Sequence, residues 1–469
     1  MRKIKLTILA QLLCLCLLLS SCMLPPPSES GGGGEAEFSP AESADLIIEA
    51  MEQTLREGGL GYPYASDYLA KWGMPEFDAA KLKWVESVFL ARYNYEGGIS
   101  NSKSAVLKRA ADICTKFIEK CYDEIDLDSK DEVTLELIDL FVECTNDPYA
   151  VYRLPDEYDE FDTDMSGKFY GIGMMVEYDH KNETIMVSAV YSNSPAERAG
   201  LRVGDFIYAI DGVAVSEIGY LNAVYHIRGE KDVPVTVTVL RGERKIDLTA
   251  IRDEIIEKSV IFEITEDNIG YIQITTFKSN TDDQFAEALD ELSKAGVSGI
   301  VFDLRNNTGG YLETVANMLS LMLPMGKTVV SYDLKSVGRR YLTTQADGYS
   351  SDGSLIDLVL NLPMVVLCNE YTASAAEIFT SVVRDYRNEG LFKAKIVGTT
   401  TYKKGIMQST HTHTDGSSIT LTIAYYNPPC GVNYHGIGIE PDITVENTED
   451  ADLQYERAIA ELKNLINEN

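Results

Sequence analysis

The stretch Val365-Val366-Leu367-Cys368-Asn369-Glu370-Tyr371-Thr372-Ala373-Ser374-Ala375-Ala376-Glu377-Ile378 decides how the chain is read. An unbroken apolar run closed by a polar turn makes a buried strand. From Thr372 the residues open a helix predicted to run to about Tyr386. Lys404 follows in Tyr402-Lys403-Lys404-Gly405, with Gln408 one helical turn's worth of residues later. A serine hydroxyl is a weak nucleophile unless a base takes its proton. A lysine can be that base only when neutral, which calls for a dry, apolar pocket. Ile378 and Phe379 lie one turn after Ser374, and Ile406 and Met407 follow Lys404. Ser374 is therefore read as a nucleophile, Lys404 as its general base and Gln408 as the group that orients the lysine. A serine at a strand-to-helix turn also sits beside unpaired backbone N–H groups, which suit a developing oxyanion.

Each residue has a plainer reading when taken alone. Ser374 and Glu377 have the S-x-x-E spacing of a capping box, and an isolated Lys404 would be a solvated surface lysine. A third piece weighs against the plain readings. Gly299-Ile300-Val301-Phe302-Asp303-Leu304-Arg305-Asn306-Asn307-Thr308-Gly309-Gly310 runs from an apolar strand into a polar turn, then a helix carrying Leu312, Val315, Ala316, Leu319 and Met322. Paired glycines let a backbone approach a substrate closely and point N–H groups at it.

Together these motifs resemble those of the carboxy-terminal processing peptidases, also called tail-specific serine proteases. That family carries D-L-R-N-N-P-G-G, S-A-S-A-S-E-I, G-K-G-x-x-Q and a closing G-I-x-P-D, in that order. The counterparts here are Asp303 to Gly310, Thr372 to Ile378, Lys404-Gly405 to Gln408, and Gly438-Ile439-Glu440-Pro441-Asp442. The resemblance extends from about Asp147 to the end and includes a PDZ module. It implies a multidomain α/β protein: an N-terminal helical region, a small β-rich PDZ domain and a crotonase/ClpP-like α/β serine protease core. It also places the nucleophile on Ser374, the base on Lys404 and the supporting glutamine on Gln408. Its oxyanion donors fall on the N–H of Gly309 or Gly310 and on that of Ala375. The chain departs from the pattern at Thr308, Thr372, Ala376, Arg384 and Lys403, the last standing where glycine is usual. The segment around Asn388 to Lys395 also looks longer than the family's.

Residues 167 to 252 read as short strands with one clear helix. Tyr170-Gly171-Ile172-Gly173-Met174 resembles the carboxylate-binding loop of a PDZ module, whose successive N–H groups receive a chain terminus. Ser194-Pro195-Ala196-Glu197-Arg198-Ala199-Gly200-Leu201 and Gly204-Asp205-Phe206-Ile207 strengthen the match, and Val235, Val237 and Val239 alternate like a half-buried strand. A peptide tail would add a strand beside Ile172 to Val176.

The chain opens with Arg2, Lys3 and Lys5 before an apolar run from Leu6 to Leu19, short for a membrane span and typical of a signal peptide. Leu19-Ser20-Ser21-Cys22 resembles a lipobox, so Cys22 is expected to become a lipidated N-terminus facing outside the cytoplasm. Pro25 to Gly34 cannot pack a core and reads as a tether. The remaining cysteines have no disulfide-framework or zinc spacing. Cys114 and Cys121 are expected to share a buried helix face. A formal charge of −32 argues against a nucleic-acid partner. No histidine lies in a serine-triad or metalloprotease pattern, so neither a metal nor a cofactor is expected.

The domains expected are a signal peptide at 1–22, a tether at 23–42, helices at 43–165, a PDZ domain at 166–253, the protease core at 254–450 and a closing helix at 451–469. In the family such N-terminal helices often dimerise; a private structural role is equally open. The function expected is a membrane-tethered endopeptidase of the cell envelope that engages polypeptides with free C-termini and cleaves through an acyl-enzyme. Membrane contact would come only through the N-terminal lipid. An inactive peptide-binding scaffold and, more weakly, a hydrophobic-ligand carrier are the other readings.

Overall fold

The computed structural model describes residues 64–66, 69, 76–95, 110, 112–114, 116, 129–179, 184–334, 338–345, 354–448 and 450–468. The expected signal peptide, Cys22, the tether and Cys121 lie outside the described residues. The chain divides into two compact units, one of residues 1–159, 330–341 and 405–427, the other of residues 160–329, 342–404 and 428–469.

In the first unit, helix Lys130–Cys144 is capped by Ser129, whose Oγ accepts the Glu132 N–H. Its apolar period turns Leu137, Ile138 and Phe141 onto Leu82, Val85 and Phe89 of helix Ala79–Tyr95, the Phe89 and Phe141 rings meeting edge-on at 5.0 Å. Cys114 is buried in the same cluster. Ile419 and Leu421, from strand Ser418–Asn427, complete it. The sequence reads Ser418 to Tyr426 as an edge strand. It is interior instead, paired with Ile406–Thr412 on one side and with Val151–Arg153 and Thr328–Leu334 on the other. The reason is its apolar content: Ile419, Leu421, Ala424 and Tyr426 are all buried. Residues 405–427 thus group with residues 1–159 in the first unit.

In the second unit, strands Met174–Asp179, Thr184–Val190, Phe206–Ile210, Pro234–Arg241 and Arg244–Ile251 form an antiparallel sheet in that order. Val235, Val237 and Val239 alternate inward and are fully buried. Two helices pack here, Pro195–Ala199 and Val215–Ile227, where the sequence pointed to one. The second is interrupted at Gly219 (φ +78), which masked its period. Strands Lys168–Gly171 and Asp253–Ile256, leading into and out of this domain, pair with each other.

The rest of the second unit is built on the sheet Val260–Ile264, Gly270–Ile274, Ile300–Asp303, Met364–Cys368, Ala394–Gly398, Ile443–Thr444, parallel after its first pair. Strands buried on both faces read as continuous apolar runs, and every residue of Met364–Cys368 is buried. Val301, Val365, Leu367 and Val397 face the C-terminal helix Leu453–Asn467 through Ala458, Leu462 and Leu465. Phe302 meets Phe285 and Phe379, from helices Thr281–Ala295 and Ala375–Asn388, on the other side. The result is a mixed α/β architecture in which the carboxyl ends of Ile300–Asp303 and Met364–Cys368 release the two turns that matter most.

Candidate active site

Those two turns are stitched together. Asn306 N–H donates to Asn369 Oδ1, Ala373 N–H to the Asn307 carbonyl, and Thr372 Oγ1 to the Leu304 carbonyl, each at 2.9 Å. Ser374 stands where the second turn enters helix Ala375–Asn388, with φ +53 and ψ −114. An ordinary N-cap residue is extended; a non-glycine residue held at positive φ costs roughly 1–3 kcal/mol and persists where its surroundings over-determine it. What over-determines it is Glu377, which has no exposed surface. Its Oε2 accepts the N–H of Ser374 at 3.0 Å and the N–H of Lys404 at 2.8 Å. Its Oε1 accepts the Thr401 hydroxyl at 2.6 Å and the Lys403 N–H at 2.8 Å. Burial pushes this carboxyl above its ordinary range, against the pull of the donors that favour the anion.

Glu377 therefore does more than the capping its spacing suggested: one carboxylate oxygen is shared by the main chains of Ser374 and Lys404. Both side chains are half-buried. Lys403, in the glycine position of the family pattern, adopts φ +86. Its carbonyl accepts the Gly436 N–H at 3.0 Å, so both its backbone groups are held and the turn that presents Lys404 is intact.

The glycine pair lies against the serine. A side chain on Gly309 (φ +107) would begin 2.8 Å from Ser374 Cβ and 3.1 Å from Ala375 N. Gly309's own N–H donates to Asn307 Oδ1 at 2.9 Å, and Asn307 Nδ2 donates to the Ile274 carbonyl. Its N–H is thus spent within the turn, while those of Gly310 and Ala375 have no partner among the described residues. Of the two glycines, Gly310 is the one with a donor to offer. Asn307 was not singled out in the sequence; nothing in a run of polar turn residues marks which side chain folds back to brace the loop.

Gln408 belongs to the first unit, on strand Ile406–Thr412, where a bulge falls between Met407 and Gln408. Its Nε2 donates to the Tyr149 carbonyl at 2.8 Å.

In the β-rich domain, the Tyr170–Met174 loop has the carbonyls of Ile172 and Gly173 engaged and their N–H groups open. The Ile172 carbonyl accepts from Ala196 N–H at 2.7 Å and that of Gly173 from Tyr191 N–H at 3.0 Å. The N–H groups of Ile172 and Gly173 have no partner among the described residues. Gly173 takes φ +77, and a Cβ there would sit 2.5 Å from Ser194 Cβ. Met174 begins the end strand of its sheet, leaving one edge without a pairing strand among the described residues. Tyr170 is exposed and Gly171 and Ile172 are buried.

Residues 268–445 match the model of peptidase family S41, and residues 186–241 that of the PDZ domain. A protein of Staphylococcus epidermidis described as "Probable CtpA-like serine protease" is 34% identical over 352 residues, covering 74% of this chain and 68% of that protein. A Staphylococcus aureus protein of the same description is 33% identical over 351 residues, with the same coverage. Among solved structures, a photosystem II D1 C-terminal processing protease aligns at 27% identity with a TM-score of 0.40, over 71% of this chain and 86% of that one.

Proposed function

The chain belongs to peptidase family S41 and is a serine-type endopeptidase with a PDZ domain, and from that premise we propose that it cleaves through a Ser374–Lys404 pair. Ser374 Oγ attacks the scissile carbonyl while Lys404, as the neutral amine, takes its proton and returns it to the leaving amine. The N–H groups of Gly310 and Ala375 receive the oxyanion. An acyl-enzyme forms and water then releases the second product. The observation that carries this reading is the shared acceptor: Glu377 Oε2 holds the amides of both Ser374 and Lys404.

The PDZ domain, on this reading, receives the free C-terminus of the substrate at Ile172 and Gly173 and extends its sheet along Met174–Asp179. The Leu19-Ser20-Ser21-Cys22 sequence supports lipidation at Cys22 and a place outside the cytoplasm, tethered to the membrane. Loss of membrane association in Cys22→Ser, followed by cell fractionation, tests the anchor.

A labelled serine-reactive phosphonate tests the site. Stoichiometric labelling that disappears in Ser374→Ala, with loss of peptide cleavage in both Ser374→Ala and Lys404→Ala and an unchanged circular dichroism spectrum, is the expected result. Full activity in either purified variant overturns the assignment. The rate should also rise as Lys404 gives up its proton; a profile flat from about pH 6 to 9 counts against a lysine base.

A further inference from the structure

Lys278 is a lysine with 6% of its side chain exposed, and the chemistry above makes no use of it. Its Nζ lies 2.9 Å from Asp164 Oδ1 and 2.7 Å from Glu257 Oε2. Those carboxylates come from the two segments that carry the chain into and out of the PDZ domain. Asp164 is in helix Pro155–Ser166, just before strand Lys168–Gly171; Glu257 directly follows strand Asp253–Ile256. The neighbouring residues are seated on the same segments. Ser279 N–H donates to the Met165 carbonyl, Asn280 Nδ2 to that of Gly167, and Glu257 N–H also to Gly167.

On its other side the Lys278 segment carries the glycine turn. Phe277 N–H donates to the Gly309 carbonyl at 2.9 Å, and Tyr311 N–H to the Phe277 carbonyl at 2.8 Å. Thr276 Oγ1 also reaches the Gly309 carbonyl, and Thr314 Oγ1 the Lys278 carbonyl, both at 3.1 Å. Phe277 brackets Gly309 and Gly310 from both ends, and its carbonyl stands where a Gly310 side chain would be. Residues 276–278 are thus joined to the turn that carries Gly310 at both ends of the glycine pair.

We propose that Lys278 is a positioning residue of the peptidase reaction: clamped between Asp164 and Glu257, it fixes the segment that aims the Gly310 N–H. This rests on Gly310 being an oxyanion donor. A buried ion pair is by itself weak evidence of stability, and an apolar replacement of similar length is often tolerated. Asp164 and Glu257 are also 52% and 35% exposed, so both remain solvated if the ammonium is removed. Lys278→Met is therefore expected to fold, and the consequence to fall on the chemical step.

The test takes the full chain with a fluorogenic peptide and compares wild type, Lys278→Met, Lys278→Arg, Glu257→Gln and the Lys278→Met/Glu257→Gln pair. Lys278→Met is expected to lower kcat about tenfold or more, the scale of a misplaced oxyanion donor, and to slow phosphonate labelling of Ser374 in parallel. KM is expected to move by less than about twofold. Lys278→Arg should recover most of the loss, and the double variant should lose less than the product of the single losses. A Lys278→Met enzyme with wild-type kcat overturns the proposal, as does one that loses turnover while labelling at the wild-type rate. If Lys278→Met does not fold, Glu257→Gln decides, with a lowered kcat expected and an unchanged one overturning the idea. Failure of the site reading is separately visible, because Ser374→Ala would then still cleave.

Discussion

Lys403 holds φ +86 where a residue without a Cβ would sit unstrained. Substituting glycine for a side-chain-bearing residue at such an angle relieves more strain than the unfolded-state entropy it adds. Lys403→Gly is expected to raise the unfolding free energy by about 1 kcal/mol, read from urea denaturation; a lower midpoint would show that the side chain contributes something besides its backbone angle. Glu377 is the more consequential residue. In Glu377→Gln one oxygen becomes an amide N–H₂, which meets backbone N–H donors instead of accepting from them. Turnover should fall at least about tenfold, with stability lower by roughly 1–3 kcal/mol for the unsatisfied groups. The sign of its pH dependence follows from burial, which holds the folded carboxyl above its ordinary 4.5. The unfolded carboxyl then ionises first, so its contribution to stability is complete below the ordinary value and is lost as the pH climbs through the folded one. The stability difference between wild type and Glu377→Gln should narrow across that window on going up in pH; widening would contradict the burial argument.

At the scale of elements, the PDZ loop gives a clean test. Gly173→Ala introduces a methyl where Ser194 Cβ already stands, at a φ that L residues resist. It is expected to weaken binding of a fluorescent peptide with a free C-terminus and to reduce the preference over the amidated form. Equal affinity for both forms in the wild type would remove the carboxylate role altogether. The strand–turn–helix units around Asp303 and Ser374 were legible because an apolar run, a polar turn and a helical period have distinct signatures. The PDZ strands were legible for the same reason in the alternation of Val235, Val237 and Val239. What stayed hidden was the use of particular polar atoms. The S-x-x-E spacing marked Glu377 as a cap and could not reveal that its second oxygen would meet Thr401 and Lys403. Asn307 and Lys278 carry no local signal, since their partners come from distant segments.

For the whole molecule, Ser418–Asn427 shows the limit of a linear reading. Its residues alternate well enough to be seen as a strand, but only the three-dimensional core shows that Ile419 and Leu421 close over the N-terminal helices. Chain order sets it beside the protease strands, and its packing sets it in the first unit. The formal charge of −32 has a global effect of its own. Long-range attraction speeds encounters with oppositely charged partners and is screened within about 10 Å at 0.1 M salt. The kcat/KM of a lysine-rich peptide should therefore fall, and that of an acidic one rise, as salt is increased from about 20 to 200 mM. Identical salt responses would confine electrostatics to the immediate site.

A single acceptor atom common to two distant amides makes the interval between them a free variable. Helix Ala375–Asn388 ends and strand Ala394–Gly398 begins across residues 389–393, where Gly390 turns with open space around it. Extra residues spliced into that bend would lengthen the chain path between the two backbone amides while leaving both on the same Glu377 oxygen.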